Sequence, residues 1–459
     1  MTALTTRTSD PRAVFGTVLV AVFVSNLDLF VVNVALPDIG RDFDGASLDA
    51  LSWVLNAYAI VFAALLVVCG RLADRSGHRR GFMLGLTVFT VGSLLCAAAP
   101  GVAFLVAARV IQALGAAALL PTSLALLLAA TPVARRTAVV RAWSAVGGIA
   151  AALGPVVGGL LVEVNWRWVF VINVPVGVLA LLVSPRVLPD VRSTEPGRAP
   201  DLPGAVLLTV AVGVLSLALV RADDWGWTSW RVIGSVIATL VLVRWFLARS
   251  ARHPAPVVEL PLLRIPTFGA AVVAALLFTV AFAALLLASA LWVQDVWGYS
   301  ALRTGLALAP GPLMVPAVAV GAGPLIRRIG AGPVTAVGIA LLGAGVLSLA
   351  LRLEATPDYA ADFLPGLIVV GFGVGLALPT VVAVATAALP EERLATGSGI
   401  VTMGRQLGAV LGVAVLVSVL GSPRTPAAAL DAFGRGWMFI AGTCVLGAAA
   451  ALLIRGGRH

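Results

Sequence analysis

The chain is a series of long apolar runs broken by short polar stretches. Most runs approach 20 residues, long enough to cross a roughly 30 Å hydrocarbon layer as a helix. Fourteen spans are predicted, near residues 13–36, 50–70, 81–99, 102–130, 137–162, 168–188, 204–221, 231–249, 267–296, 304–323, 332–351, 362–387, 396–420 and 436–454. Period-two alternation, the mark of a membrane barrel, is absent. The polar stretches hold the arginines unevenly. If the first span starts inside, Arg71, Arg75, Arg79, Arg80, Arg135, Arg136, Arg186, Arg244, Arg249, Arg327 and Arg328 share the inner side. Arg41, Arg167, Arg231 and Arg303 are among the few on the outer side. That bias predicts an even span count and both termini in the cytoplasm. The outer loops "DDWGWTSW" and "DVWGYS" carry the tryptophans expected of interfacial anchors.

Composition turns this pattern into a class. Of 459 residues 60% are hydrophobic and 11% charged, where a soluble domain carries about 25% charged. Mean hydropathy is +1.05. The expected fold is an all-α polytopic membrane protein. The net charge of +10 does not indicate nucleic acid, because the arginines punctuate apolar runs. Lysine is absent, which excludes a G-x-x-x-x-G-K-[ST] phosphate loop and hence an ATP-driven pump. Cys69, Cys96 and Cys444 lie in or beside apolar runs with no metal-ligand spacing, and His78, His253 and His459 lie in loops or the tail. No metal site, intramembrane histidine relay or nucleophile–base set follows, so an enzyme is not expected. No loop is large enough for a soluble signalling domain. The first run lacks a small-residue cleavage site and is expected to remain a span.

Two loops echo each other. "GRLADRSG" from Gly70 follows the second span, and "GPLIRRIG" from Gly323 follows the tenth, aligning Gly70 with Gly323, Leu72 with Leu325, Arg75 with Arg328 and Gly77 with Gly330. Repeated halves with a site between them are a common build of secondary transporters. The expected organisation is a cytoplasmic N-terminus (1–12), a six-helix bundle (13–188), a linker with two extra helices (189–266), a second six-helix bundle (267–454) and a cytoplasmic tail (455–459).

Four features carry candidate chemistry. Asp28 stands in "SNLDLFVVNVALPDI", at a depth where an ionised acid costs at least about 2.5 kcal/mol. Counted along their helices, Asp28 and Arg109 each lie roughly 10–12 Å below the outer surface. Contact or linkage through water follows, with Gln112 on the same face as Arg109. The pair is either a static ion pair or one whose acid takes and releases a proton. Burial favours the neutral acid and a neighbouring cation the ionised one. Asn26 and Asn33 fall on the opposite face of the same span, and which face lines a cavity is open. The second feature, "GRLADRSGHRR" (70–80), packs Gly70, Asp74, Arg75, Gly77 and Arg79 into one inner turn, either as topological charge or as a latch between moving halves. Third, the fifth span carries two small-residue rows, Gly154 with Gly158, and Ala151, Pro155 and Gly159; these permit close helix approach, as static packing or as a hinge and seal. Last, Arg405 sits near mid-depth in span thirteen without an acid at matching depth except Asp295 near an outer end. Arg405, Asn33, Asn56 and Gln112 are candidates for substrate contact or gating, and Trp53 and Tyr58 for stacking on a flat substrate.

"GRLADRSGHRR" resembles the signature loop of the major facilitator superfamily, with His78 replacing a commoner basic residue. "RVIQALGAAALL" (109–120) resembles that superfamily's fourth-span motif, and "GGIAAALGPVVGGLL" (147–161) the fifth-span motif of its exporters. "LDLFVVNVALP", "WRWVFVINVPVG" and "GSGIVTMGRQLGAVLGVAV" resemble patterns of the fourteen-span drug:proton antiporter family. The resemblance implies two six-helix bundles plus two extra central helices. It also implies proton-coupled export of amphipathic compounds, antibiotics among them, across the cytoplasmic membrane. The alternatives are a dedicated exporter of an endogenous metabolite and, less favoured, a proton-coupled uptake symporter. Expected partners are the lipid bilayer, protons and a small amphipathic substrate. No cofactor is implied, since the proton gradient drives transport, and the chain is expected to function as a monomer.

Overall fold

The structure, a computed structural model, describes residues 11–132, 135–190, 199–390, 393–421 and 425–454. The first ten residues, linker residues 191–198 and tail residues 455–459 of the expected organisation lie outside the described residues. Among the described residues, fourteen helices are long and apolar enough to cross a membrane. They are α1 (Pro11–Asp42), α2 (Leu48–Ser76), α3 (His78–Ala97), α4 (Val102–Ala129) and α5 (Arg136–Val164). Then come α6 (Trp168–Val187), α7 (Leu202–Val220), α8 (Trp230–Arg252), α9 (Pro266–Val296) and α10 (Ala301–Ile329). The last four are α11 (Ala331–Arg352), α12 (Tyr359–Ala387), α13 (Leu394–Leu420) and α14 (Pro426–Leu452). The described residues include no strand. With an even number of crossings, Pro11 and Leu452 share one side of the bundle, here the terminal side.

Several helices outrun their apolar segments. α1 continues through Pro37 to Asp42, so Asp28 lies near the middle of the helix rather than close to its end. α2 runs through Gly70 to Ser76, which makes most of the "GRLADRSG" stretch helical and leaves the reversal to Gly77 alone. α14 starts at Pro426, ten residues before its expected start at 436. Thr425 caps it through a hydroxyl that accepts from Ala428 N at 3.2 Å, and proline suits the first turn because its missing N–H has no partner there anyway. Polar residues at helix ends do not break a helix; they only carry it out of the apolar layer.

The halves repeat. In the first, α3 packs on α4, α2 on α4 and α1 on α5; in the second, α11 packs on α12, α10 on α12 and α9 on α13. The same close-approach device recurs. A Cβ placed on Gly115 of α4 would lie 2.6 Å from the Gly85 carbonyl oxygen of α3, and one on Gly373 of α12 would lie 2.6 Å from that of Gly338 on α11. Absent side chains let the helices touch backbone to backbone. The echoed loops also match in conformation. Gly77 (φ 100°) joins α2 to α3 and Gly330 (φ 88°) joins α10 to α11, each ending one helix and starting the next. The remaining pair, α7 and α8, pack on each other, and α7 docks against α2 and α13.

Backbone at φ near +100° with extended ψ is disfavoured for residues with a Cβ, by about 1–3 kcal/mol. Gly77→Ala is expected to lower the apparent melting temperature of the purified protein. Gly101→Ala, at φ −177° with open space around the added methyl, is expected to leave it unchanged. A thermal shift series in detergent measures both.

Candidate functional site

Asp28 is 2% exposed and Arg109 1%. The sequence put them at equal depth, and the folded chain joins them: Arg109 Nη1 donates to Asp28 Oδ2 at 2.5 Å. The other carboxylate oxygen accepts from Gln112 Nε2 and from Asn173 Nδ2, both at 2.9 Å. One carboxylate thus takes three donors from two helices. Arg109 also donates through Nη1 to Gln112 Oε1 at 2.6 Å and through Nε to the Val54 carbonyl of α2 at 3.0 Å. Its guanidinium carbon stands 4.1 Å from the centroid of the Tyr58 ring, a cation–π contact. Ser93 on α3 accepts from Gln112 at 2.9 Å and Asn173 at 3.3 Å, and itself donates to the Phe89 carbonyl. Five helices, α1, α2, α3, α4 and α6, therefore meet at one charge pair.

Asn173 and Ser93 were not among the sequence candidates. A signal for Asn173 lies in "VINVPVG". Pro175 cannot donate to the Val171 carbonyl, and the helix breaks between Trp168–Val171 and Asn173–Val187, which brings the carboxamide onto Asp28. Gly92 admits the backbone of Gln112, where an added Cβ would lie 2.6 Å from its Cα. Tyr58 is 1% exposed beneath Arg109 and is not free to stack on a substrate.

The opposite face of α1 behaves differently. Asn26 and Asn33 are half-buried and bond only to their own helix, at the Val22 and Leu29 carbonyls. The Asp28 face thus binds neighbouring helices, and the asparagine face is the one left partly open. Asn56 on α2 is 1% exposed, and neither atom of its carboxamide has a hydrogen-bond partner. Arg405 on α13 lacks an ion-pair or hydrogen-bond partner among the described residues, and its Nε is buried.

The two glycine rows of α5 serve different surfaces. Gly154 faces Phe30 and Gly158 faces Val31, both on α1 of the same half. Pro155 and Gly159 instead face α10 of the other half. A Cβ on Gly159 would lie 2.6 Å from the Ala301 carbonyl oxygen, and Gly305 sits against the Pro155 carbonyl. This contact is at the end away from the chain termini. There Leu302 N also donates to Glu163 at 3.2 Å, and Gln294 of α9 donates to the Val34 carbonyl of α1 at 3.0 Å. Toward the terminal side α10 is largely exposed: from Pro312 to Ile329 only Ala322 is buried. The second seam, between α2 and α13, is closed from Ile60 against Val410 to Val67 against Gly399.

On the terminal side one carboxylate joins the halves. Glu259, on the segment after α8, accepts from Arg71 at the end of α2 at 3.3 Å and from Arg393 beside α13 at 2.6 Å. Of the expected latch residues, Asp74 lies 3.3 Å from His78 one turn on, and Arg79 donates to the Leu188 carbonyl at 3.5 Å. Gly70 packs its bare Cα on Pro121, and Arg75 has no ion pair or hydrogen bond among the described residues. The bond between halves in this loop is made by Arg71, which the sequence reading passed over.

Two repeated six-helix halves with contacts between them are the common build of a secondary transporter. The sequence profile of the Major Facilitator Superfamily matches residues 18–413, and the chain belongs to that superfamily. It is 37% identical over 404 residues to the multidrug resistance protein Stp of Mycobacterium tuberculosis H37Rv, covering 87% of this chain and 74% of Stp. It is 32% identical over 432 residues to the probable actinorhodin transporter of Streptomyces coelicolor, covering 90% and 74%. With the cephamycin export protein CmcT of Amycolatopsis lactamdurans it shares 34% over 430 residues, covering 92% and 87%. Among solved structures, the peptide transporter PepTSo superposes with a TM-score of 0.69 at 15% identity, covering 97% of this chain and 98% of that one. That likeness concerns the fold.

The two rows of α5 separate in a mutational test. Gly159→Leu is expected to pry α5 from α10 and reduce disulfide crosslinking between cysteines introduced at Glu163 and Leu302. Gly154→Leu overpacks the contact with α1, at a cost of about 1–3 kcal/mol, and is expected to lower thermal stability while keeping that crosslink.

Proposed function

We propose that the protein is a proton-coupled antiporter that exports amphipathic drugs or antibiotics across the cytoplasmic membrane by alternating access. The observation that carries this reading is the Asp28–Arg109 pair, buried among five helices of a chain whose relatives are named for drug resistance and antibiotic export. The termini and Glu259 lie in the cytoplasm, as the arginine bias indicates. The touching outer ends of α5 and α10 and the exposure of the cytoplasmic part of α10 support entry of substrate from inside. Protonation of Asp28 from the outside removes the charge that Arg109 holds and loosens the junction of α1, α4 and α6. Release of that proton to the inside, as substrate binds, restores it. A proton moving inward through about 100 mV releases about 2.3 kcal/mol. At about 1.4 kcal/mol per tenfold, this sustains a roughly 45-fold gradient of a neutral compound. The signature loop and Glu259 hold the cytoplasmic side of the α2–α13 seam while the halves rock. A single chain suffices for this cycle.

The relatives named for actinorhodin, tetracenomycin and cephamycin favour a second reading, export of the host's own product. Drug susceptibility and product titre in strains with and without the gene separate the two.

Asp28→Asn keeps the side-chain size but carries no charge, and its amide nitrogen faces a donor where a carboxylate oxygen accepted. In inverted vesicles with matched expression, it is expected to abolish uphill, pH-gradient-driven transport while substrate binding persists. Wild-type uphill transport by Asp28→Asn would return Asp28 to a structural role. Orientation is checked separately: reporters at positions 256 and 459 are expected to read cytoplasm, and reporters at 226 and 358 the outside.

A further inference from the structure

Among the described residues, Arg405 has no counter-charge. It sits eleven residues into α13, about 16 Å along the helix from its terminal-side end. No described residue bonds to it, and its Nε is buried. A buried cation is costly unless paired or hydrated. The helices around it offer no acid. On α9, the contact level is set by Val272 beside Gly404 and by Leu276 beside Gly408. The acid of that helix, Asp295, lies nineteen residues beyond Leu276, about 28 Å away. On α2, Ile60 and Val67 set the level, and Asp49 and Asp74 are both more than about 10 Å along the helix from that segment. Asp28 is saturated by Arg109, Gln112 and Asn173.

The direction in which Arg405 stands follows from its helix. Gly404, Gly408 and Gly412 meet α9, at Val272, Leu276 and Val280. Gly399 and Val410 meet α2, and Val410 clusters with Val212 of α7. At 3.6 residues per turn, Ser398, Thr402, Arg405 and Ala409 share the face between α9 and α2 that is turned away from α7. That is the face toward the space between the halves. All four are partly exposed. Neither the Ser398 nor the Thr402 hydroxyl makes a hydrogen bond among the described residues, whereas Thr279 and Thr443 each bond back to their own helix. Gln406, next to Arg405, has an Nε2 without a partner. One guanidinium and two hydroxyls without hydrogen bonds among the described residues share a partly exposed stripe and form a donor set for an oxyanion.

We propose that Arg405, with Ser398 and Thr402, receives the acidic group of an amphipathic substrate, so that the transporter prefers carboxylate-bearing compounds to their neutral analogues. This rests on the efflux reading for its consequence, but not for its binding chemistry. The planar guanidinium matches a carboxylate through two parallel bonds. It also repels cations, which adds selectivity of the opposite sign.

The test compares anthraquinone-2-carboxylate with its methyl ester, which share one flat scaffold and differ in charge. Binding to the purified full chain in detergent is measured by tryptophan quenching at constant ionic strength. The wild type is expected to bind the acid at least tenfold tighter than the ester. Arg405→Gln is expected to erase that preference, Arg405→Lys to restore part of it, and Thr402→Val to reduce it. Size-exclusion profiles establish folding, and Thr402→Val supplies the comparison if Arg405→Gln misfolds. A wild type without acid preference, or a preference that survives Arg405→Gln in folded protein, overturns the proposal. Proton-driven uptake of both compounds into inverted vesicles separates the two readings. Arg405-dependent binding of the acid without transport contradicts efflux and leaves the subsite standing; transport without acid preference does the reverse.

Discussion

A carboxylate buried at bilayer depth must be held by donors, and Asp28 dictates how the first half is assembled. Its three donors come from α4 and α6, and their positions are fixed in turn by Ser93 on α3 and by the Val54 carbonyl and Tyr58 ring on α2. Removing one partner of such a pair strands the other charge, at about 3–5 kcal/mol. The second half repeats the helix packing but not this charge. α9 presents Phe278, Ala281 and Leu285 to the core, all buried and apolar, and Arg405, within the span of α13, has no ion-pair or hydrogen-bond partner among the described residues.

The two seams are built differently. α2 and α13 touch from Ile60–Val410 to Val67–Gly399 and are bridged further by Arg71, Glu259 and Arg393, with α7 packed alongside. α5 and α10 touch through Gly159 and Gly305 at the end away from the termini, where glycine on both sides brings backbone against backbone. The two extra helices have their own anchor: Asp201 caps the start of α7 at Gly204 N and accepts from Arg249 of α8 at 2.6 Å.

Much of this was legible because membrane sequences state their constraints openly. Apolar run lengths gave the fourteen spans. Depth counting paired Asp28 with Arg109, although α1 proves longer than its apolar run. The small-residue spacing of α5 was readable, while its division between a neighbour in the same half and one across the interface was not, since two rows look alike in one dimension. Asn173 and Ser93 escaped notice because a single amide or hydroxyl in an apolar run is common, and only the chain break before Asn173 gives it significance. Glu259 was hidden for another reason. Its partners lie 188 and 134 residues away in sequence, and no local pattern marks such a meeting.

The measurement that bears most directly on Asp28 as the proton-exchanging group is infrared difference spectroscopy of the purified protein, taken between mildly alkaline and mildly acidic solution. The predicted result is a reversible protonated-carboxyl band that appears on acidification and is absent from Asp28→Asn, with a matching change in the arginine bands that is lost in Arg109→Gln. A wild-type spectrum with no such band while the protein stays folded, or a band that persists unchanged in Asp28→Asn, would contradict it and leave the Asp28–Arg109 pair as a fixed strut.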